Sequence, residues 1–350
     1  MQVNFSRLEP ALVLALASWL DFIIGDPWGW PHPVQAIGWV INRLFQWAIE
    51  FLNNPDTKSY LHWLKKITNF PIDNIISRFT GAVLGIGLVI GSGSIGWLTI
   101  AGARWVHPLL GMTVNTILLA SCFAGRSLTN AGIAVLQPLI KGDIDTARST
   151  LRQYVGRDTA NLSAPEILRA VLETVTENAT DGVLAPLFYA LIGLFFPPIG
   201  SVPLVLAYKT ASTLDSMVGY REAPYTYIGW FSAKQEDVLT WLPCRLLVIT
   251  LAFLSGRPYQ IWKICWRDAP KDPSPNSGWS ECVYAALLNV RVGGTNWYRG
   301  VAKPKPLLGD PKAPITPDKI KQAMQLTRYC FLIWLSIALS FWVWLRLLLH

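Results

Sequence analysis

The stretch FTGAVLGIGLVIGSGSIGWLTIAGA, Phe79 to Ala103, runs for 25 residues without a charge. At 1.5 Å per residue it makes about 37 Å of helix, enough to cross the roughly 30 Å hydrocarbon core of a bilayer. Gly81-xxx-Gly85 and Gly87-xxx-Gly91 give it a small-residue face that a second helix can approach closely. Trp105 to Gly125 is a second uncharged run, and Arg104 and Pro108 between the two predict a hairpin. Val183 to Tyr208 is a third, interrupted by Pro197-Pro198 and Pro203. A double proline removes two amide donors in mid-span, so a broken or re-entrant segment is expected there. Val238 to Ser255, with Arg245 inside it, and Tyr329 to Leu345 complete the apolar series. The N-terminal run Ala11 to Leu20 lacks a small-residue cleavage site and is interrupted at Asp21, which predicts a retained first helix.

Composition agrees. Of the 350 residues, 52% are hydrophobic and only 15% charged, whereas a soluble domain carries roughly 25% charged residues. That excludes disorder and disfavours a plain soluble enzyme. The five cysteines are widely spaced, with no Cys-x-x-Cys pair, so neither a disulfide framework nor a zinc site is indicated. The reading is an all-α polytopic membrane protein with five to seven membrane segments, one of them broken, and long polar loops. A single membrane-embedded domain over residues 1–350 is expected.

Net charge is +8. Nucleic acid, an anionic substrate and anionic lipid could each explain it, and its distribution decides. Arg257 to Arg328 holds 12 Lys/Arg against 5 Asp/Glu, seven of the eight net charges, beside membrane segments. It therefore reads as a basic cytoplasmic loop, with no nucleic-acid partner. Within it, Lys303 to Pro317 reads as an extended Pro-rich linker, and Gly293-Gly294-Thr295-Asn296 as a candidate phosphate loop. Val34 to Leu52 has apolar positions at helical spacing and is expected to lie along the membrane surface.

The chemistry concentrates in 126–182, an acidic-helix loop. Ser163 and Glu166 form a capping box, with Pro165 in the first turn. At 100° per residue, Glu166, Arg169, Glu173 and Glu177 share one face, with Asp181 just beyond. Three like charges on one stripe need neutralising. A divalent cation bridging to phosphate would do so, making Glu166, Glu173, Glu177 and Asp181 candidate metal ligands. Arg169 pairing with Glu166 and Glu173, or a solvated acidic face, would also do so. Arg126, Arg157 and Thr159 offer donors suited to phosphate. Lys209 ends an apolar span, with Asp215 following. It reads either as a snorkelling lysine or as a catalytic one. Asp26 and His32 sit where the first helix ends, in a proline-rich turn, and are further catalytic candidates. Ser274 and Asn276 lie in a rigid turn that could contact substrate. P-loop, GxGxxG, HExxH and GxSxG signatures are absent.

Taken together, GDPxxxPHPV at 25–34, AGRSL at 124–128, GRDTxxLxxxEILRAxxETVTENxxDGVLAPLFYA at 156–190, TLDSMVGY at 213–220, LPxRL at 242–246 and SPNSGW at 274–279 resemble the CobD/CbiB family. The likeness covers nearly the whole chain. Ser212, Lys234, Asn130 and Ser280 stand where relatives often carry Asn, Arg, His and Pro. The resemblance implies adenosylcobinamide-phosphate synthase activity in cobalamin biosynthesis. A propionate carboxylate of adenosylcobyric acid would be amidated by aminopropanol or its phosphate, with ATP and Mg²⁺. The corrinoid would be bound as substrate, in the cell membrane, with the active site facing the cytoplasm and other cobalamin-pathway membrane enzymes as candidate partners. Rival readings are a transporter or binding protein for an anionic small molecule or corrinoid, a membrane prenyl or lipid transferase, and a scaffold.

Overall fold

The uncharged run at 79–103 lies within one 35-residue helix in the computed structural model, which describes residues 5–25, 32–68 and 71–348. In chain order the elements are α1 (Phe5–Ile23), α2 (Pro33–Asn53), α3 (Pro55–Thr68), α4 (Ile72–Val106), α5 (Pro108–Ala120), α6 (Gly125–Ile140), α7 (Ile144–Leu151) and α8 (Ala164–Asn178). After a π-helical turn at Ala179–Leu184 come α9 (Ala185–Phe195), α10 (Ser201–Val218), α11 (Tyr225–Ile228), α12 (Trp230–Leu254), α13 (Pro258–Asp268) and α14 (Ser277–Leu288). The hairpin β1 (Val292–Tyr298) and β2 (Val301–Leu308) and the long α15 (Pro317–Leu348) follow.

Five helical segments among the described residues are long and apolar enough to cross a membrane: Ile72–Val106, Pro108–Ile140, Ala164–Phe195, Tyr225–Leu254 and Pro317–Leu348. The chain is a polytopic, all-helical membrane protein apart from one hairpin among the described residues. Most spans turn outward. Only 22% of the apolar window of Ile72–Val106 is buried in protein, against 56% for Ala164–Phe195. That second span carries the acidic residues and packs mainly on protein.

Chain packing resolves the expected single domain into two compact units. The first comprises Met1–Leu20, Asp26–Cys122 and Tyr189–Leu239. Here α4 is the spine, and it packs against α5 and α10. Its glycines divide by use. A Cβ on Gly81 would fall 1.8 Å from the Ile228 carbonyl oxygen, and one on Gly93 would fall 3.0 Å from Pro203 O. Gly87 and Gly91 face open space. Between α4 and α10 the Ser92 and Thr210 hydroxyls meet at 2.8 Å, satisfying each other inside an apolar contact. The break expected at Pro197-Pro198 falls between α9 and α10. Gly200 turns the chain at φ +82°, and Ser201 Oγ donates to Ala190 O at 2.7 Å. Part of the apolar stripe of α2 is covered by protein. Ile41, Phe45 and Ala48 are buried against Leu214, Val218 and Ile228, while Phe51 on the same stripe is exposed.

The second unit comprises Asp21–Gly25, Phe123–Phe188 and Thr240–His350. The stretches expected as loops at 126–182 and 257–328 are mostly helical here. α8 packs against α6, α7, α14 and α15, and α14 is buried along almost its whole length. The Pro-rich linker expected at 303–317 is corrected, because residues 303–308 belong to β2. Pro304 pairs opposite Thr295, which a two-stranded ribbon tolerates because each strand keeps an open edge. The tip, Arg299-Gly300, has positive φ at both residues (+51° and +76°), the geometry of a tight two-residue hairpin turn.

Candidate functional site

Glu173 is the hub of the second unit. Its side chain is 1% exposed. Oε2 accepts from Arg157 Nη2 at 2.6 Å, and Oε1 accepts from Arg169 Nη1 at 3.2 Å and from the Gly293 amide at 2.8 Å. Each contact has a local cause. Arg169 lies one turn before Glu173 on α8. Arg157 reaches in from the loop before α8 and also donates to Asn296 Oδ1 at 2.8 Å. Gly293 and Gly294, at φ +90° and +108°, form an irregularity in β1 that turns the amide inward. The expected phosphate loop at 293–296 therefore binds an anion, but that anion is the protein's own carboxylate. Arg169 donates in addition to Gly293 O and Thr295 O, fastening β1 to α8.

The hairpin is held at its far end too. Asp158 accepts from the Arg299 and Gly300 amides at 3.1 and 2.8 Å, and its own amide donates to Trp297 O. Thr159 donates to Arg148 O at 3.0 Å. The Gly-Arg-Asp-Thr motif thus latches the hairpin, and Arg157 and Thr159 are committed to the protein rather than free for phosphate.

From β2, Lys305 Nζ donates to Glu281 Oε1 on α14. The Glu281 side chain is fully enclosed, and its Oε2 has no hydrogen-bond partner among the described residues. Burial pushes the Glu281 carboxyl well above the usual range. Lys305 opposes that shift, and Glu177 and Glu173 add to it. Burial also works against the Lys305 ammonium, but Glu281, Glu177 and Glu173 outweigh it and raise its pKa. The neighbours that Glu177 feels are Lys305, Asp272, Glu173 and Arg157. Glu173, Glu177, Glu281, Asp272, Arg157, Arg169 and Lys305 thus form one charged cluster between α8, α14 and the hairpin. The acidic helix and the basic 257–328 region meet directly in it.

The expected metal ligands do not fit a metal. Glu166 is spent on the capping box, accepting from Ser163 N and Oγ at 2.7 and 2.6 Å. Both oxygens of Glu173 are taken by arginines and an amide. Among the described residues no three His, Cys, Asp or Glu side chains gather to hold an ion. Asp181 sits in the π-helical turn after α8. Glu173 is neutralised by Arg157 and Arg169, which is part of the alternative that the sequence left open.

Other expected site residues take structural positions. Ser274 Oγ accepts from the Asn276 and Ser277 amides, and Asn276 precedes α14, so both build the turn that starts that helix. Arg126 sits in the first turn of α6, its amide facing Asp21 Oδ1 at 3.5 Å. In the first unit, His32 Nδ1 accepts from Val34 N at 3.2 Å and caps α2. His107 caps α5 the same way, again ahead of a proline. Lys209 and Asp215 are half-buried on α10, where six residues put them about 120° apart around the helix. Asp26 lies outside the described residues.

Lys305 is not legible as a site residue from local motifs, while Asp158, Asn296 and Glu281 are legible only as members of the Gly-Arg-Asp-Thr motif, the 293–296 loop and the oxygen-rich turn that begins at Asp272. Glu281 carries one further signal: it is the sole charge between Asp272 and Arg291. An isolated carboxylate in so apolar a helix needs a partner.

The CobD/CbiB protein family matches residues 14–327. The chain belongs to this family. It is 49% identical over 337 residues to the cobalamin biosynthesis protein CobD of Synechocystis sp., covering 96% of this chain and 93% of the relative. It is 38% identical to CobD of Geobacter metallireducens over 340 residues (95% and 97%) and 37% identical to CbiB of Salmonella typhimurium over 319 residues (90% and 92%). No solved structure matches it. Within CobD/CbiB, the long motif at 156–190 now has a physical content: it supplies the latch, the hub and the π-helical turn. The Ser280 hydroxyl meets the Thr180 hydroxyl at 2.8 Å and donates to Thr176 O.

Proposed function

We propose that this CobD/CbiB protein is a membrane enzyme of cobalamin biosynthesis. It joins aminopropanol, or aminopropanol phosphate, to a propionate carboxylate of adenosylcobyric acid, with ATP supplying the driving force. Family membership and the names of its relatives support the role in cobalamin biosynthesis. The observation that supports amide chemistry is the charged cluster between α8, α14 and the hairpin, where Glu281 presents an unsatisfied carboxylate oxygen beside Lys305. Forming an amide from an alkylammonium requires that its charge be held and its proton removed, and buried carboxylates suit both tasks. The site faces the cytoplasm in this reading, where ATP is available and where basic loops are retained. The carboxylates of α8 are not Mg²⁺ ligands in this reading.

The test is mass spectrometry of the corrinoid after purified protein meets adenosylcobyric acid, ATP, Mg²⁺ and each amine separately. A mass gain equal to the amine less water is expected with one of them. An unchanged corrinoid with both amines would sink the proposal.

A further inference from the structure

The cluster holds more carboxyl groups than cations. Glu173, Glu177, Glu281 and Asp272 bring four carboxyl groups, and Arg157, Arg169 and Lys305 bring three cations. The imbalance is local. Glu173 is saturated by two guanidinium groups and an amide. Asp272 Oδ1 is used by Ser274 and Ser277. Glu281, 1% exposed, keeps Oε2 without a partner. A buried carboxylate oxygen with no donor is costly, and an incoming donor would relieve that cost. Glu177 is half-buried and the Lys305 side chain is 21% exposed, so this end of the cluster reaches the surface.

What fits is a compact cation carrying several N–H donors. A hard metal ion would need three or more oxygen ligands converging on it, which the described residues do not gather. A phosphate would meet more carboxylate than cation. A primary ammonium needs only separate acceptors in its donor directions.

We propose that Glu177 and Glu281, beside Lys305, form the seat of a primary ammonium, the protonated amine of the amide-forming reaction. This rests on the function proposed above and says which part of the site takes the smaller substrate. When the amide forms, one ammonium proton passes to a carboxylate oxygen of the seat. The nitrogen lone pair then bonds the activated acyl carbon, the activating group leaves with its bonding electrons, and the second proton of the nitrogen passes to that departing group.

Calorimetry on the purified full-length protein in detergent tests it, with 1-amino-2-propanol as probe and 1,2-propanediol as the uncharged control. The amine is expected to bind at least tenfold tighter than the diol. Glu177→Gln and Glu281→Gln should each weaken amine binding tenfold or more. Glu177→Gln, at a half-buried position, should keep the wild-type melting temperature, so its loss cannot be charged to misfolding. In turnover, Glu177→Gln should raise KM for the amine and leave KM for the corrinoid acid unchanged. Amine binding that is equal in wild type and both variants, or absent in wild type, overturns the seat. Equal binding by Glu281→Gln alone would mean that Glu281 is simply protonated, and overturns its part. Tight, carboxylate-dependent amine binding without any amide product would instead refute the proposed reaction and leave the seat standing.

Discussion

Arg157 and Glu173, sixteen residues apart in sequence, meet at 2.6 Å with side chains 9% and 1% exposed. The pair ties the loop before α8 to the middle of that helix. Removing one charge leaves the other buried and alone, which costs about 3–5 kcal/mol. Glu173→Gln is therefore expected to lower the melting temperature sharply in detergent, whether or not divalent cations are present. A variant melting like wild type would show that the pair is not closed in solution.

The Lys305–Glu281 pair makes a similar demand from the hairpin side. Lys305→Met leaves a buried carboxylate uncompensated, and Glu281→Met leaves a buried ammonium so. Each should destabilise by several kcal/mol, and the double variant by at least about 1 kcal/mol less than the sum. Additive losses on thermal or denaturant unfolding would mean that the two side chains do not interact.

Nδ1 of His32 caps α2. Asn can supply the same acceptor, so His32→Asn should hold stability within about 0.5 kcal/mol, while His32→Ala loses about 1 kcal/mol. The amide-forming activity proposed above should follow stability across the two variants. An inactive but stable His32→Asn would give the imidazole a chemical role beyond capping.

Asp268 sets an acid limit. Burial raises its carboxyl pKa, but hydrogen bonds from Arg267, Lys271 and the Gly309 amide outweigh this and hold it below the usual value. A depressed folded pKa contributes stability above the unfolded value of about 3.9, and that contribution is lost as pH falls through the folded pKa. Melting curves from neutral pH down through about pH 4 to lower values should thus fall less steeply for Asp268→Asn than for wild type. Parallel curves would remove Asp268 from the acid response.

On α4, Gly81 and Gly87 should respond oppositely to one methyl group. At Gly81 it would strike the Ile228 backbone 1.8 Å away, and Gly81→Ala should force the helices apart. At Gly87 it meets nothing within 4 Å, and Gly87→Ala should be neutral or stabilising by up to about 1 kcal/mol. The readout is the melting temperature of each variant; equal losses at both positions would contradict the packing.

The sequence discloses what a single helix or break decides. The span at 79–103, the interruption at Pro197-Pro198 and the helix start at Ser163 all follow from local physics and stand in the fold. Helical spacing also puts Glu166, Glu173 and Glu177 on one face. It cannot say what lies opposite, and two arginines, one from outside the helix, take the place expected for metal. The stripe on α2 is right as a pattern, but its cover, Leu214 and Val218, comes from more than 160 residues away. The hairpin is least legible. Pro304 and Pro306 argue for a linker, and only pairing with β1 and the grip of Asp158 on the tip make them a strand.

The order of these charges along the chain has a consequence for synthesis. Arg157 and Arg169 both precede Glu173, so the carboxylate leaves the ribosome after the two cations that will neutralise it. Segment Ala164–Phe195 can approach the translocon with its buried charge already accompanied, sparing the roughly 2.5–3.5 kcal/mol that a bare charge costs at the centre of an inserting helix. Glu281 has no such escort. Its lysine emerges 24 residues later, on the second strand of the hairpin, so α14 reaches its enclosed position only after the chain through Lys305 has been made and folded back. Glu173 is thus born accompanied, and the last cation of the cluster to arrive closes it.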